Sequence, residues 1–363
     1  MFIKSFHPGS TELQMTELIR RLDRSLFDVH VACFQKEGAW LPRVESCAPV
    51  TEFPIKGFAR PGTLARAASF ARWCRANRLA VVQTCDLYAN TFALPAAALA
   101  GTHVRIGSRR ELNPDKSAGQ AALQRQAYRW ARAVVANSRA AARQLASEGV
   151  AAERIQIIPN GVDLDHYTPR SSAKPLSTIL TVGNLRAEKG HEVLLEAAAR
   201  VLLAHPHLRF QMVGDGPRRA ELEALAARLC IADRVSFLGH REDVPALLAS
   251  ADAFVLPSRS EAFPNSAIEA MAAGLPVVAS AVGGLLDLIE PGATGLLVEP
   301  NNAVALADAI GSLVRSPEYA AALGAAAREE VTQRYSFDRM VRAFENLYLS
   351  QLDMPRGVSS RAA

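Results

Sequence analysis

"SRSEAFPNSAIEAMAAGLPVVAS", residues 258–280, runs from a polar loop through a helix into a short apolar strand. Pro264 suits the first position of a helix, where a missing N–H costs nothing. Asn265 to Ala273 reads helical, Gly274 fits the position beyond its end, and Pro276 enforces the stop. "PVVAS" then reads as a buried strand. The helix start presents free N–H groups from Asn265 and Ser266 together with the positive end of the dipole, which makes an anion seat. Glu261 stands in the loop before it and Glu269 about one turn inside. A diphosphate on this helix start would have one carboxylate on either side.

Paired carboxylates also serve glycoside hydrolysis, where they stand roughly 5–9.5 Å apart across one bond. Eight residues of continuous helix would separate these two by about 12 Å of rise. The Phe263-Pro264 break permits a shorter distance without requiring one. We read the two as acceptors for separate parts of one ligand. The spacing by itself equally permits a helix start decorated with acids, which the dipole favours.

Outward from this stretch, strand and helix patterns alternate along the chain. In the first half, residues 28–34, 80–84, 103–108, 133–138 and 155–160 read as short buried strands. Glu12–Leu22, Leu64–Asn77, Asn90–Ala100, Ala118–Arg132 and Arg139–Ser147 read as helices. This is the pattern of a doubly wound parallel sheet. The Pro/Ser-rich stretch 166–177 reads as a linker. The expected division is residues 1–165, linker 166–177, a second alternating domain over 178–335, a final helix 336–352 and a disordered tail 353–363.

Four further motifs accompany the opening one. They are "ILTVGNLRAEKGHEVLLEAAARV" (179–201), "FQMVGDGPRRAELEALA" (210–226), "VSFLGHREDVPALLASADAFVLPS" (235–258) and "VGGLLDLIEPGATGLLVEP" (282–300). With the Glu-x7-Glu segment, their order and spacing resemble the group 1 (family 4) retaining glycosyltransferases. The resemblance covers the whole second half and implies the GT-B fold: two Rossmann-like doubly wound domains facing a central cleft, with a C-terminal crossover helix. It implies that Arg186 and Lys189 contact the donor diphosphate. Glu269 would accept from the ribose, and Glu261 would bind hydroxyls of the transferred sugar. Phe263, Pro264, Asn265 and Ser266 would supply the loop and N–H groups beneath sugar and phosphate, Gly183 would allow close backbone approach at the phosphate-contacting turn, and Gly239 and His240 would hold the base. Asp287 stands where relatives often carry Glu, which implies a structural role. The residues themselves allow plainer readings: a solvated turn at Arg186 and Lys189, and a surface histidine at His240.

The first half resembles the family less closely. "HPGSTELQMTELIRRL" places Gly9 and Ser10 where two glycines are usual, and no histidine follows the strand at 80–84. Asp86 either takes over a polar contact there or caps the next helix, and we favour the cap. Arg109 and Arg110 could meet an anionic acceptor. Asn160 to Asp163 reads as hinge architecture.

Composition narrows the classes. At 363 residues the chain exceeds the size at which single cores stop growing. Residues 1–170 hold 23 Lys+Arg against 14 Asp+Glu, and the remainder 18 against 22. This asymmetry suggests an anionic partner, or merely arginine on solvated faces. Helix 64–77 sets Arg66, Arg72 and Arg75 beside Leu64, Phe70 and Trp73; it could lie on an anionic inner leaflet, but a core-packed cover is favoured. Five cysteines without metal-ligand spacing suggest reduced thiols in the cytoplasm. No secretory signal or membrane span is read. There is no Gly-x4-Gly-Lys-Ser/Thr; Arg219 breaks a dinucleotide fingerprint; the histidines are dispersed; no nucleic-acid module appears.

The resulting expectation is a metal-independent, retaining hexosyltransferase of glycan, glycolipid or polysaccharide biosynthesis. It uses a nucleoside-diphosphate sugar as co-substrate, with no cofactor and no metal site. The acceptor is expected to be anionic, lipid-linked or a glycan. The alternatives are a non-catalytic nucleotide-sugar-binding scaffold of a polysaccharide assembly complex, and a nucleotide-sugar 2-epimerase, which the Arg-x2-Lys and Glu-x7-Glu pairing disfavours.

Overall fold

The computed structural model describes residues 1–58, 60–112, 117–170 and 173–353, with the side chain of Pro61 left aside. The expected disordered tail falls, from residue 354 on, outside the described residues. The chain divides into two units, Met1–Gly161 with Phe337 onward, and Val162–Ser336.

The first unit carries β1 (Phe2–Ile3), β2 (Val31–Cys33), β3 (Val50–Glu52), β4 (Val81–Gln83), β5 (Val104–Arg109), β6 (Ala133–Ala136) and β7 (Ile155–Ile157). They lie in the orders β1-β2-β3 and β4-β5-β6-β7, all parallel. A parallel bridge from Phe2 to Thr84 joins the two groups. The chain therefore reverses its winding between β1 and β4. Two of these strands, β1 and β3, and a short helix at Leu41–Glu45 add to the sequence reading; β3 ("VTE") lacks the apolar run that marks β2 and β4.

Helix Pro61–Ala76 is a core cover: Phe70 is 1% exposed, and its ring packs near those of Phe2, Phe53 and Trp73. Its arginines at 66, 72 and 75 face outward with Leu64. The last helix, Phe337–Asp353, buries Phe344 and Tyr348 in the core of this same unit.

The second unit carries β8 (Thr178–Val182), β9 (Arg209–Val213), β10 (Val235–Gly239), β11 (Ala253–Leu256), β12 (Val277–Ser280) and β13 (Leu296–Val298). Their order is β10-β9-β8-β11-β12-β13, parallel throughout. Strands buried on both faces read as continuous Val/Ile/Leu runs, as "TILTV" and "AFVL" do. Winding reverses between β8 and β11. Ligands of such sheets bind outside the carboxyl ends of the strands at this reversal.

The expected linker at 166–177 is corrected. Its described residues are fastened to the second unit. Arg170 N–H donates to Ala273 O at 3.0 Å, and Lys174 Nζ stands 2.9 Å from Asp252 Oδ1. The buried Asp252 also accepts from Ser177 and Thr178 main-chain N–H groups. A nearly buried carboxylate must collect donors, and this segment supplies them.

Candidate functional site

The loops after β8 and β11 leave the sheet side by side, and they carry most of the residues singled out. After β8 the chain runs from Gly183 through a short turn at Ala187–Lys189 to helix His191–Ala204. Fully buried Leu185 anchors the loop, its N–H donating to Asp215 O at 3.0 Å. Close approach of the neighbouring loop depends on Gly214 and Gly216, where a Cβ would fall 2.1 Å from Gly183 O and 2.6 Å from Leu185 O. The "VGDGP" glycines are thus loop-packing residues. Gly183 leaves ordinary space, with the nearest atom to its missing Cβ the Lys189 chain at 3.7 Å.

Arg259, in the loop after β11, holds this turn from the other side. Its N–H donates to Glu188 O at 2.8 Å, and its guanidinium reaches Ala187 O at 2.7 Å and Glu192 at 2.6 Å. His191 Nε2 lies 3.2 Å from Asn184 O, which makes it the protonated nitrogen. Burial lowers its pKa to about 4, so the imidazole is neutral beside Lys189. Arg186 is thereby left exposed on a fixed turn, with no side-chain partner among the described residues.

Lys189 and Glu261 meet. Lys189 Nζ lies 2.5 Å from Glu261 Oε1, and Ser258 Oγ donates to the same oxygen at 2.7 Å. Glu261 O accepts from Gly284 N–H at 3.0 Å, and a Cβ on Gly284 would strike Ala262 O at 2.1 Å. The glycine loop at 282–284 therefore seats the acidic loop. Tyr335 OH donates to Asp287 O at 3.0 Å, so the Asp287 main chain is structural here.

Helix Asn265–Ala272 begins one residue later than expected for Pro264. Pro264 occupies the cap position with extended backbone, and no side chain caps this helix. Its first-turn N–H groups, including those of Asn265 and Ser266, carry the positive end of the dipole. Gly274 takes φ +69 beyond the helix end, as its position predicts. Phe263 turns its ring inward, 5% exposed and 5.6 Å from the Tyr335 ring, and so offers the loop its main chain.

Glu269 lies one turn inside the helix. Burial alone pushes its carboxyl up to about 7, and no hydrogen bond or ion pair satisfies it among the described residues. The Tyr167 phenol is raised by burial and then by the Glu269 charge, so the two groups are neighbours. Gly239 takes φ +68, and its carbonyl accepts from Gly214 N–H at 2.8 Å, tying the end of β10 to the loop after β9. His240 follows, exposed.

In the first unit, Gly9 precedes helix Ser10–Arg21 in extended conformation, and Ser10 is its first residue. Asp86 caps helix Leu87–Leu99, accepting from Ala89 N–H at 2.8 Å. Arg109 is corrected as an acceptor contact. It is 1% exposed, and its Nη1 grips both oxygens of Glu148 at 2.7 and 2.8 Å. Residues 106–109 of β5 are all buried, and a buried guanidinium needs that counter-charge. Arg110 reaches Asn160 instead.

Sequence reasoning missed Ser258, Arg259, Gly190 and His191. The signals were present as the serine three residues before Glu261 and as the "KGH" after Glu188. No helix among the described residues is long and apolar enough to cross a membrane. No group of three or more metal-ligating side chains is found among them either.

Residues 169–330 match the family described as Glycosyl transferases group 1, and residues 11–166 match Glycosyltransferase Family 4. A D-inositol 3-phosphate glycosyltransferase of Geodermatophilus obscurus is 36% identical over 252 residues, covering 63% of this chain and 55% of its own. An N-acetyl-alpha-D-glucosaminyl L-malate synthase of Bacillus anthracis is 32% identical over 174 residues, 48% of this chain and 45% of its own. The chain spans about half the length of the curated relatives it matches. Among solved structures, Anabaena Alr3699/HepE in complex with UDP superposes with a TM-score of 0.85 at 25% identity, covering 96% of this chain and 98% of that one. A sucrose-phosphate synthase from Thermosynechococcus elongatus shares the fold, with a TM-score of 0.77 at 23% identity over 96% of this chain and 95% of its own.

Proposed function

This chain belongs to the group 1, family 4 glycosyltransferases of GT-B fold, and from that premise we propose that it moves a hexosyl group from a nucleoside-diphosphate sugar to an acceptor hydroxyl with retention of configuration. The observation that carries the reading is the grouping at the winding reversal of the second sheet. A free arginine, a lysine–glutamate pair, an uncapped helix start and a half-buried carboxyl with a raised pKa converge on the loops after β8 and β11. A metal-free diphosphate requires cationic groups, and Arg186, Lys189 and the helix N–H groups supply them. Glu269 then accepts from the ribose and Glu261 from the sugar. Gly239 and His240 flank the base.

The mechanism is same-face displacement through an oxocarbenium-like state. The C1–O bond to the diphosphate breaks as the acceptor oxygen approaches from the same side. The departing phosphate oxygen takes the acceptor proton, so the products are glycoside and nucleoside diphosphate. Catalysis is positioning and electrostatic preorganisation. The acceptor hydroxyl belongs to a glycan or lipid-linked carrier in this reading. The outward arginines of helix Pro61–Ala76 are the surface offered to an anionic leaflet, which flotation with anionic vesicles at low and high salt tests.

The deciding experiment incubates the chain with UDP-, GDP- and ADP-hexoses and a panel of glycan and lipid-linked hydroxyl acceptors. Release of nucleoside diphosphate and the anomeric configuration of the product are followed by proton NMR. Retention with one donor class is expected; inversion, or no turnover of any donor, overturns the reading.

A further inference from the structure

The lysine of the phosphate clamp is occupied in this structure. Lys189 Nζ and Ser258 Oγ both donate to one oxygen, Glu261 Oε1, at 2.5 and 2.7 Å. The pair is largely withdrawn from water, with the Lys189 side chain 21% and the Glu261 side chain 8% exposed. Arg186, three residues before Lys189, is exposed on the same turn. The clamp therefore holds one available cation and one neutralised cation. The proposed function gives these partners different duties, Lys189 to the diphosphate and Glu261 to the sugar.

Resting on that reading, we propose that Glu261 is a positioning residue that makes the phosphate grip of Lys189 conditional on the sugar. A nucleotide sugar brings a hydroxyl that donates to Glu261. The carboxylate stays satisfied by that hydroxyl and by Ser258, and Lys189 turns to the diphosphate. A free nucleoside diphosphate brings no such hydroxyl. If Lys189 turned to it, a nearly buried carboxylate would keep only the Ser258 hydroxyl, and an under-compensated buried charge is unfavourable. Glu261 therefore holds Lys189 back from the free diphosphate. After transfer, the sugar leaves the site with the acceptor, Glu261 recaptures Lys189, and the spent nucleotide departs. No covalent step is added. The pair sets the order of affinities so that donor exceeds product.

Isothermal titration of the full chain tests this. The probes are UDP, GDP and ADP with their glucose conjugates, carried forward with whichever base binds. Glu261→Gln preserves shape and can still accept from Ser258, but it removes the charge that restrains Lys189. Free diphosphate should bind about threefold to tenfold tighter to this variant, the range of one partly buried charge pair. The nucleotide sugar should bind no tighter. Lys189→Met should then cost more free-diphosphate affinity in the Glu261→Gln background than in the parent. Ser258→Ala gives an arm that keeps both charges: Glu261 loses its second donor, holds Lys189 harder, and free-diphosphate affinity falls. The proposal is overturned if the parent binds free diphosphate and Glu261→Gln binds it equally or more weakly. It is overturned equally if the Lys189→Met loss is the same in both backgrounds. Should the parent bind neither nucleotide nor nucleotide sugar, the proposed function falls, and this proposal with it.

Discussion

Gly190 turns left-handed, with φ +63, directly against Pro257: a Cβ at Gly190 would stand 2.2 Å from the Pro257 carbonyl oxygen. The contact joins the two loops that leave β8 and β11, one residue after Lys189 and one before Ser258. A side chain there meets two penalties, an αL backbone and a main-chain oxygen that cannot rotate away. Gly190→Ala should therefore destabilise by roughly 2–4 kcal/mol, and it should weaken nucleotide-diphosphate binding by displacing the turn. Urea unfolding and titration with UDP check the two effects. An unchanged midpoint would show that the loops are not locked together at this position.

Arg186→Ala should behave in the opposite way. The side chain is exposed and contributes no packing, so thermal stability should be unchanged. Binding of a nucleoside diphosphate should lose about 1.5–3 kcal/mol, the usual worth of a hydrogen bond to a charged group. Equal affinity in variant and parent would remove Arg186 from the clamp.

The residues that made the second unit legible were those whose chemistry depends on local order. Pro276 and Gly274 end a helix, "TILTV" and "AFVL" fill a sheet buried on both faces, and the strand–helix alternation fixes the winding. Contacts between segments distant in sequence were not legible. Lys189 and Glu261 are 72 residues apart, and only the parallel pairing of β8 with β11 brings them together. Likewise the Pro/Ser composition of 166–177 carries no sign of Asp252, whose need for donors binds that stretch to the second unit. Arg109 and Arg110 look alike in sequence. The first closes β5 and grips Glu148, and the second, just past the strand end, reaches Asn160.

That burial gives Arg109 a structural role with a measurable signature. Removing one partner of a buried ion pair leaves the other uncompensated, at about 3–5 kcal/mol. Arg109→Met should thus lower unfolding stability by that order, as read by denaturant titration. Its affinity for the donor should stay at the parental value under conditions where it is folded. A variant with parental stability and a raised acceptor KM would return Arg109 to the acceptor contact that its burial excludes.

His191 makes acid stability testable. Its pKa lies at about 4 in the fold, below the ordinary histidine value, because burial disfavours the imidazolium. The unfolded chain takes up a proton near its ordinary pKa, while the fold resists until about 4. Stability from this residue is therefore whole above about 6.5 and declines as pH falls towards 4. His191→Gln retains an N–H donor for Asn184 O without the titration. The variant should lose less stability than the parent between pH 6.5 and 4. Parallel curves would mean that His191 titrates normally.

Glu269 carries the pH dependence of binding. Its carboxyl is pushed up to about 7 by burial, with no donor to hold the ionised form. The folded pKa lies above the unfolded one. Stability from this group is thus full below about 4.5, declines as pH rises to 7, and is constant beyond. A ribose hydroxyl that donates to the carboxylate binds the ionised form. Affinity for the donor should therefore rise about tenfold per pH unit below the carboxyl pKa and level off above it. A nucleotide sugar is the proper probe, because its diphosphate lacks the terminal monoester ionisation near pH 6 that a free nucleotide carries. Titration from pH 5.5 to 8 should show this slope, together with proton release to buffer below pH 7. Glu269→Gln should abolish the slope and set affinity, at every pH, below the parental plateau by about 1.5–3 kcal/mol, the worth of the charged acceptor. A flat parental profile, or a slope that survives in Glu269→Gln, would place the ribose contact elsewhere on the helix start.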